Sequence, residues 1–314
     1  MNKNKFKYAL LGLGLLAACA AGVFSGPTAS LDSDILLRLR LPRTLLAALA
    51  GAALGACGCA MQGVLRNPLA DPYIMGTSAG AGLGAVIALA LGLSNPGAGF
   101  YALACAGAFG ATLFAYYMAR SGGKTSPASL VLSGVMVSSF CGALILFFVL
   151  ARQRESFSAL IFIMGNVNEG GTGQLVGAAL LLLIGLALLA PISRGLDALS
   201  LGEEKAFYLG LETEKLKLRA FLGASILACA AVSAAGTVGF IGLAAPHLMR
   251  AFFGPGNRRL LLVSALFGAG ALMALDAAAR TILAPAEVPA GVLAALCGAP
   301  FFLYLLKRNK HEFF

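Results

Sequence analysis

The chain has 314 residues, 59% of them apolar and only 11% charged, with no tryptophan and a mean hydropathy of +0.88. An ordinary soluble domain is about 45–50% apolar and about 25% charged, so this composition excludes a soluble globular domain and indicates a membrane protein. The formal net charge of +10 would suit nucleic acid, but most of the basic residues sit in the short connections between apolar runs, a pattern that speaks for membrane topology and against a nucleic-acid partner.

A spanning helix needs about 20 mostly apolar residues to cross about 30 Å of hydrocarbon. Runs of this kind are expected near residues 8–24, 44–64, 78–93, 100–118, 129–150 and 175–192. The pattern then breaks at 193–218, SRGLDALSLGEEKAFYLGLETEKLKL, and resumes at 219–238, a short 240–253, 260–283 and 288–306. Ten spans follow, in one membrane domain covering residues 1–314, with both termini on the same side.

Placing the N-terminus in the cytoplasm puts every Lys and Arg on the inner side except Arg38, Arg40, Arg43, Arg152, Arg154 and Arg280, the asymmetry expected of a cytoplasmic-membrane protein. Lys3, Lys5 and Lys7 ahead of an apolar run ending in Leu16-Ala17-Ala18-Cys19 also resemble a signal peptide with a lipoprotein-like cleavage box. Its removal would leave nine spans that violate the charge asymmetry, so the run is read as the first span.

Residues 76–80, GTSAG, match the G-x-S-x-G pattern of a serine hydrolase, which requires a strand entering, a helix leaving, and an acid and a histidine later. Here RNPLADPYIM precedes the motif, with prolines that mark a loop entering a helix near Thr77. Close helix packing is the better reading of these small residues. Gly122-Gly123-Lys124-Thr125 resembles the end of a phosphate-binding loop, but Met118 stands where the first glycine belongs and a membrane helix replaces the strand, leaving a turn. His247 lacks neighbouring ligands and reads as structural. The seven cysteines fall in apolar runs, and Cys57 and Cys59, two apart on a helix, point about 200° apart, so they are expected to pack and not to bridge.

Glycines at three- and four-residue spacing, as in Gly51-Ala52-Ala53-Leu54-Gly55 and Gly268-Ala269-Gly270, predict close helix contacts. Charges within the spans are few: Asp276 and Arg280 late in the ninth, and Glu287 opening the tenth. Such a set is no relay of carboxylates for ion coupling. The 193–218 segment mixes leucines with Glu203, Glu204, Lys205 and Glu212, too charged to enter lipid and too apolar for a plain linker. It predicts a docking surface for another protein, the alternative being an amphipathic helix on lipid headgroups.

Several stretches resemble one family closely: Arg40-Leu41-Pro42-Arg43, Met61-Gln62 with Asn67-Pro68-Leu69-Ala70-Asp71-Pro72, Leu201-Gly202-Glu203-Glu204 with Leu209-Gly210, Gly239-Phe240-Ile241-Gly242-Leu243 with Pro246-His247, and Glu287-Val288-Pro289-Ala290-Gly291 with Gly298-Ala299-Pro300. In order and spacing they resemble the FecCD permeases, the ten-span type II ABC importer subunits for iron-siderophore complexes, haem and vitamin B12. The resemblance runs from about residue 38 to 306.

That resemblance implies an all-α polytopic fold of about ten spans with an inverted internal repeat, relating spans two to five to spans seven to ten. It implies a homodimer, two copies of a separate ABC ATPase on the cytoplasmic side, a substrate-binding protein on the outer side, and membrane lipid around the whole. Leu196, Leu199, Leu201, Gly202, Glu203, Leu209 and Gly210 would form the coupling helices against the ATPase. Arg40, Arg43 and Arg280 would meet carboxylates of the binding protein, with Arg40 and Arg43 flanking a turn held by Pro42 and an Asp276–Arg280 pair at i,i+4 too weak to forbid it. Ser133, Ser138 and Ser139 of span five would line the pathway. No cofactor and no catalytic residue is expected, and the sequence does not distinguish siderophore, haem and corrinoid as cargo. The rival readings are an ion-coupled secondary transporter, which needs ion ligands within the spans, and a membrane serine hydrolase, which needs a partner for Ser78.

Overall fold

The computed structural model describes residues 3–26, 32–93, 97–151, 156–167 and 170–308. Arg152 and Arg154, assigned above to the outer side, lie outside the described residues. Within them the chain forms twelve α-helices: α1 (Lys3–Phe24), α2 (Leu41–Leu65), α3 (Thr77–Ala90), α4 (Ala98–Ala119), α5 (Pro127–Ala151), α6 (Ser156–Ile163), α7 (Thr172–Ser200), α8 (Glu203–Tyr208), α9 (Thr213–Ala235), α10 (Ile241–Phe253), α11 (Asn257–Ala279) and α12 (Ala290–Arg308). Ten of them fall on the ten expected runs, and α8 lies in the 193–218 segment. Seven, namely α1, α2, α4, α5, α7, α9 and α11, are long and apolar enough to cross a membrane; α3 and α12 are shorter apolar helices. The 13 residues of α10 rise only about 20 Å.

Helix α2 is the hub, packed against α11, α9, α7 and α10. Its small residues make that possible. A Cβ on Gly51 or Gly55 would fall on the carbonyl oxygen of Gly268 or Ser264 in α11, and one on Gly58 would fall on that of Gly242 in α10. Backbones at such range gain dispersion contacts that lipid cannot supply. Helices α3 and α4 meet in the same way, Gly80 against Gly107 and Gly84 against Leu103, so the glycines of GTSAGAGLG pack as expected. Helix α1 lies on the rim against α11, with 11% of its most apolar stretch buried, whereas α2 and α9, which open the two expected halves, pack on each other and share the highest burial among the candidate spans.

The entry to α3 settles the hydrolase context. A 3-10 turn, Pro72–Met75, precedes Gly76, which sits at φ +82, and no strand enters the motif. The Asp71 carboxylate accepts the Tyr73 N–H at 2.8 Å to start that turn. The Gly122-Gly123 stretch is a two-residue hairpin, with β1 (Arg120–Ser121) antiparallel to β2 (Lys124–Thr125). Both glycines have positive φ, 57 and 81, as a type I′ turn demands.

Three boundaries differ from expectation. Helix α7 runs unbroken through Pro191 to Ser200, 29 residues or about 43 Å, so residues 193–200 are its protruding end and not a separate coupling helix. Helix α9 begins at Thr213, six residues early, because its charged first turn is tied down by partners described below. Residues 35–40 are π-helical and continue directly into α2 with Pro42 in its first turn, where a missing N–H costs nothing; Arg40 and Arg43 therefore flank no turn.

Candidate coupling, docking and pathway sites

One end of the bundle gathers the amino ends of α1, α9 and α11 with the carboxyl ends of α7 and α10 and the hairpin. Lys7 Nζ donates to the Phe252 carbonyl, the Asn257 N–H donates to Asp197 Oδ1 at 2.6 Å, and Lys217 Nζ donates to the Thr125 carbonyl at 2.6 Å. Helix α8 protrudes here. Phe207 and Tyr208 on it are 68% and 85% exposed and Leu201 and Leu209, which flank it, 63% and 67%, an apolar tip among Glu204, Lys205 and Glu212. Two backbone positions shape it: Gly202 at φ +120 and Gly210 at φ +81 bound α8 in conformations that favour glycine.

Of the seven residues expected to couple, Leu201, Leu209 and Gly210 lie on this tip, with Gly202 and Glu203 at its base. Leu196 and Leu199 do not. Both are fully packed in the core, because the end of α7 turns that face toward its neighbours while Asp197 anchors α11. Phe207 and Tyr208 make up the tip in their place, and their aromatic side chains in a charged stretch were the available signal.

At the opposite end the three arginines expected to face a partner are inside the fold. Arg40, Arg43 and Arg280 are 5%, 6% and 2% exposed. Arg43 holds Asp276 Oδ1 at 3.1 Å and Glu287 Oε2 at 2.8 Å, and Arg280 holds Asp276 Oδ2 at 3.1 Å. The expected i,i+4 pair is thus part of a four-residue cluster, with Arg43, Asp276 and Arg280 buried and Glu287 partly exposed, that joins α2, α11 and the approach to α12. Charge holds it more than hydrogen-bond direction does: Arg43 Nη2 and Asp276 Oδ2 make no well-angled hydrogen bond despite their short ionic contacts.

The same arginines cap α1, whose last carbonyls have no helical donors. Arg280 donates to the carbonyls of Gly22 at 2.8 Å and Ser25 at 3.3 Å, and Arg40 to that of Phe24 at 3.2 Å. This explains their burial. Arg38, by contrast, has a side chain 80% exposed and pairs at 3.1 Å with the exposed Asp34.

The expected pathway serines divide. Ser133 is buried against α4, donates to the Ala115 carbonyl at 2.7 Å and stands at the inner wall of the groove between α4 and α5. Ser138 and Ser139 donate to the carbonyls of Gly134 and Val135 one turn back. Only Ser139 lies on the exposed stripe of α5, with Leu132, Met136, Phe140 and Phe147 at helical spacing. A groove of about 550 Å³ runs between that stripe and α4, lined by Phe114, Met118, Leu132, Ser133, Met136 and Phe140, with Ser139 outside its lining.

His247 stacks edge-on against Phe302 at 5.8 Å between ring centres. Among the described residues no group of three or more metal-ligating side chains forms, and all seven cysteines are free; Cys57 donates to the Ala224 carbonyl at 3.2 Å. Helix α6, which the sequence did not suggest, packs its end on the break between α9 and α10: Thr237 Oγ1 donates to the Ile163 carbonyl at 2.5 Å, and the Gly291 N–H reaches the Gly165 carbonyl at 2.8 Å.

The profile of the FecCD transport family matches residues 9–308. The cobalamin import system permease protein BtuC of Halobacterium salinarum is 42% identical over 272 residues, covering 87% of this chain and 73% of its own length. The hemin transport system permease protein HmuU of Yersinia pestis is 38% identical over 285 residues, covering 88% and 84%. A solved inward-facing structure described as a metal-chelate type ABC transporter superposes with a TM-score of 0.86 at 29% identity, over 98% of this chain and 99% of that one.

Proposed function

The chain belongs to the FecCD transport family, and from that premise we propose that it carries an iron-siderophore complex, haem or a corrinoid inward across the cytoplasmic membrane. It is a multi-pass permease subunit of an ABC importer and not an enzyme; permeases of this family work with ATPase and substrate-binding subunits. In our reading two copies pair to form the pathway, each carrying one ATPase at the end that holds α8. That end is the cytoplasmic one, with both termini, because Lys7, Arg194, Lys205, Arg258 and Arg259 gather there.

The apolar tip of α8 is the observation that carries this assignment. Four large exposed apolar side chains just past the end of a helix of about 43 Å lie beyond a hydrocarbon core of about 30 Å, and a protein groove suits them better than lipid tails. Replacing Phe207 and Leu209 with Glu should abolish co-purification of the ATPase while the permease still reaches the membrane; intact co-purification would refute the contact.

The substrate-binding protein would dock at the opposite end. Since Arg40, Arg43 and Arg280 are occupied within the chain, they shape that face, and Arg38 offers charge to the partner. The pathway would run along the exposed stripe of α5 that includes Ser139, beside the groove against α4 whose mostly apolar walls carry Ser129 and Ser133 as polar anchors. Such walls hold cargo weakly and leave selection to the binding protein. Ion coupling finds little support: Asp276, the buried in-span carboxylate, is neutralised by two arginines.

A further inference from the structure

Lys217 lies in the first turns of α9 and is fully buried, yet it is a cation near the membrane surface. Its ammonium has partners on three separate elements: Glu203 Oε2 of α8 at 3.3 Å, Glu214 Oε1 of α9 at 2.5 Å, and the Thr125 carbonyl of the hairpin at 2.6 Å. Glu214 closes the ring by accepting the Thr125 N–H at 3.3 Å and the Thr125 hydroxyl at 3.0 Å. Thr125 stands two residues before Pro127, where α5 begins. One buried cation therefore joins the base of the coupling helix to the start of the helix we assign to the pathway.

A buried ammonium stripped of its partners is costly, so elements sharing it do not slide past one another. Only Ser126 separates Thr125 from Pro127, too short a link to absorb a displacement of Thr125 without passing it to α5. We propose that Lys217 is a positioning residue for energy coupling: it makes α8 and the hairpin one rigid body, so that an ATPase-driven shift of α8 moves α5. Core packing alone does not require this arrangement, since a leucine at 217 would fill the space without binding Glu203. The inference rests on the ATPase-importer reading given above.

The test uses the permease assembled with its ATPase in lipid vesicles, with ATP plus vanadate as the probe. Two readouts are taken: the labelling rate by an impermeant thiol reagent of Ser139→Cys, in a background without the native cysteines, and the distance between spin labels at Lys205 and Ser121, both exposed. In the otherwise unchanged chain, ATP should change the labelling rate while the label distance stays fixed. In Lys217→Met the ATP response at position 139 should fall by about fivefold or more, the low end of ordinary intersite coupling, and the label distance should now shift with nucleotide. Glu203→Gln takes the charge from the α8 link alone, leaves Lys217 its other two partners, and should give a loss in the same direction if Lys217→Met fails to assemble. Lys217→Arg should restore part of the response. An ATP response kept by both Lys217→Met and Glu203→Gln would overturn this inference alone; no ATP response in the unchanged chain would overturn it together with the importer reading.

Discussion

Asp276→Asn removes one negative charge from a place where two arginines depend on it. The carboxylate is 1% exposed and lies 3.1 Å from Arg43 and 3.1 Å from Arg280, whose side chains are 7% and 2% exposed. Each contact at this distance is worth about 5 kcal/mol of gross attraction at an effective dielectric near 20, much of it offset by the cost of burying the ions. Breaking one member of such a set leaves cations unpaired, which typically costs about 3–5 kcal/mol. Glu287 keeps its contact with Arg43 at 2.8 Å, so the loss should lie toward the lower end, roughly 3 kcal/mol. Glu287→Gln is the comparison: that side chain is 34% exposed and screened, and its loss should cost no more than about 1 kcal/mol. Thermal unfolding of the purified permease in one detergent measures both. Asp276→Asn should lower the midpoint by several degrees and Glu287→Gln by far less. Equal shifts, or a larger one for Glu287→Gln, would refute the view that the buried cluster locks α2, α11 and α1 together.

Helix packing predicts a sharp contrast between glycines. Gly58→Ala drives a methyl into the Gly242 carbonyl and should cost about 1–3 kcal/mol or more, whereas Gly110→Ala meets nothing within 4 Å and should be neutral; unfolding midpoints compare them. Topology is tested in a background without native cysteines: Thr172→Cys, exposed at the start of α7, should react with an impermeant thiol reagent from outside, and Arg259→Cys, exposed at the start of α11, only after permeabilisation. Labelling of Arg259→Cys on intact cells would reverse the orientation.

Most of the architecture was legible because membrane helices announce themselves by composition. Each expected run holds a helix, and the Gly51, Gly55 and Gly268 contacts follow from small residues at helical spacing. The site was less legible, for two physical reasons. Charge in sequence does not say which charges neutralise each other: Arg43 and Asp276 are 233 positions apart, and only the antiparallel packing of α2 on α11 brings them together, turning arginines that read as free docking groups into a lock. Helical phase was the other gap. Leu196 and Leu199 look like Leu201 and Leu209 in a mixed segment, but α7 continues through residue 200, so its phase points the first pair into the core and leaves the second pair outside. Ser133 and Ser139 likewise stand on different faces of α5, the first buried at the groove wall and the second exposed. Helix α6 gave no period to read, since eight mostly apolar residues are too few to separate from the end of a span.

The central claim is that ATP hydrolysis by a partner, and not an ion gradient, drives transport through this chain. The direct measurement is uptake into vesicles holding the permease and its ATPase, with the substrate-binding protein added outside and a panel of a ferric siderophore, haem and a corrinoid offered as cargo. The account predicts that one cargo accumulates only when ATP is present on the side of α8, that uptake stops with a hydrolysis-deficient ATPase, and that collapsing proton and sodium gradients changes nothing. Accumulation without ATP that follows an imposed ion gradient would contradict it.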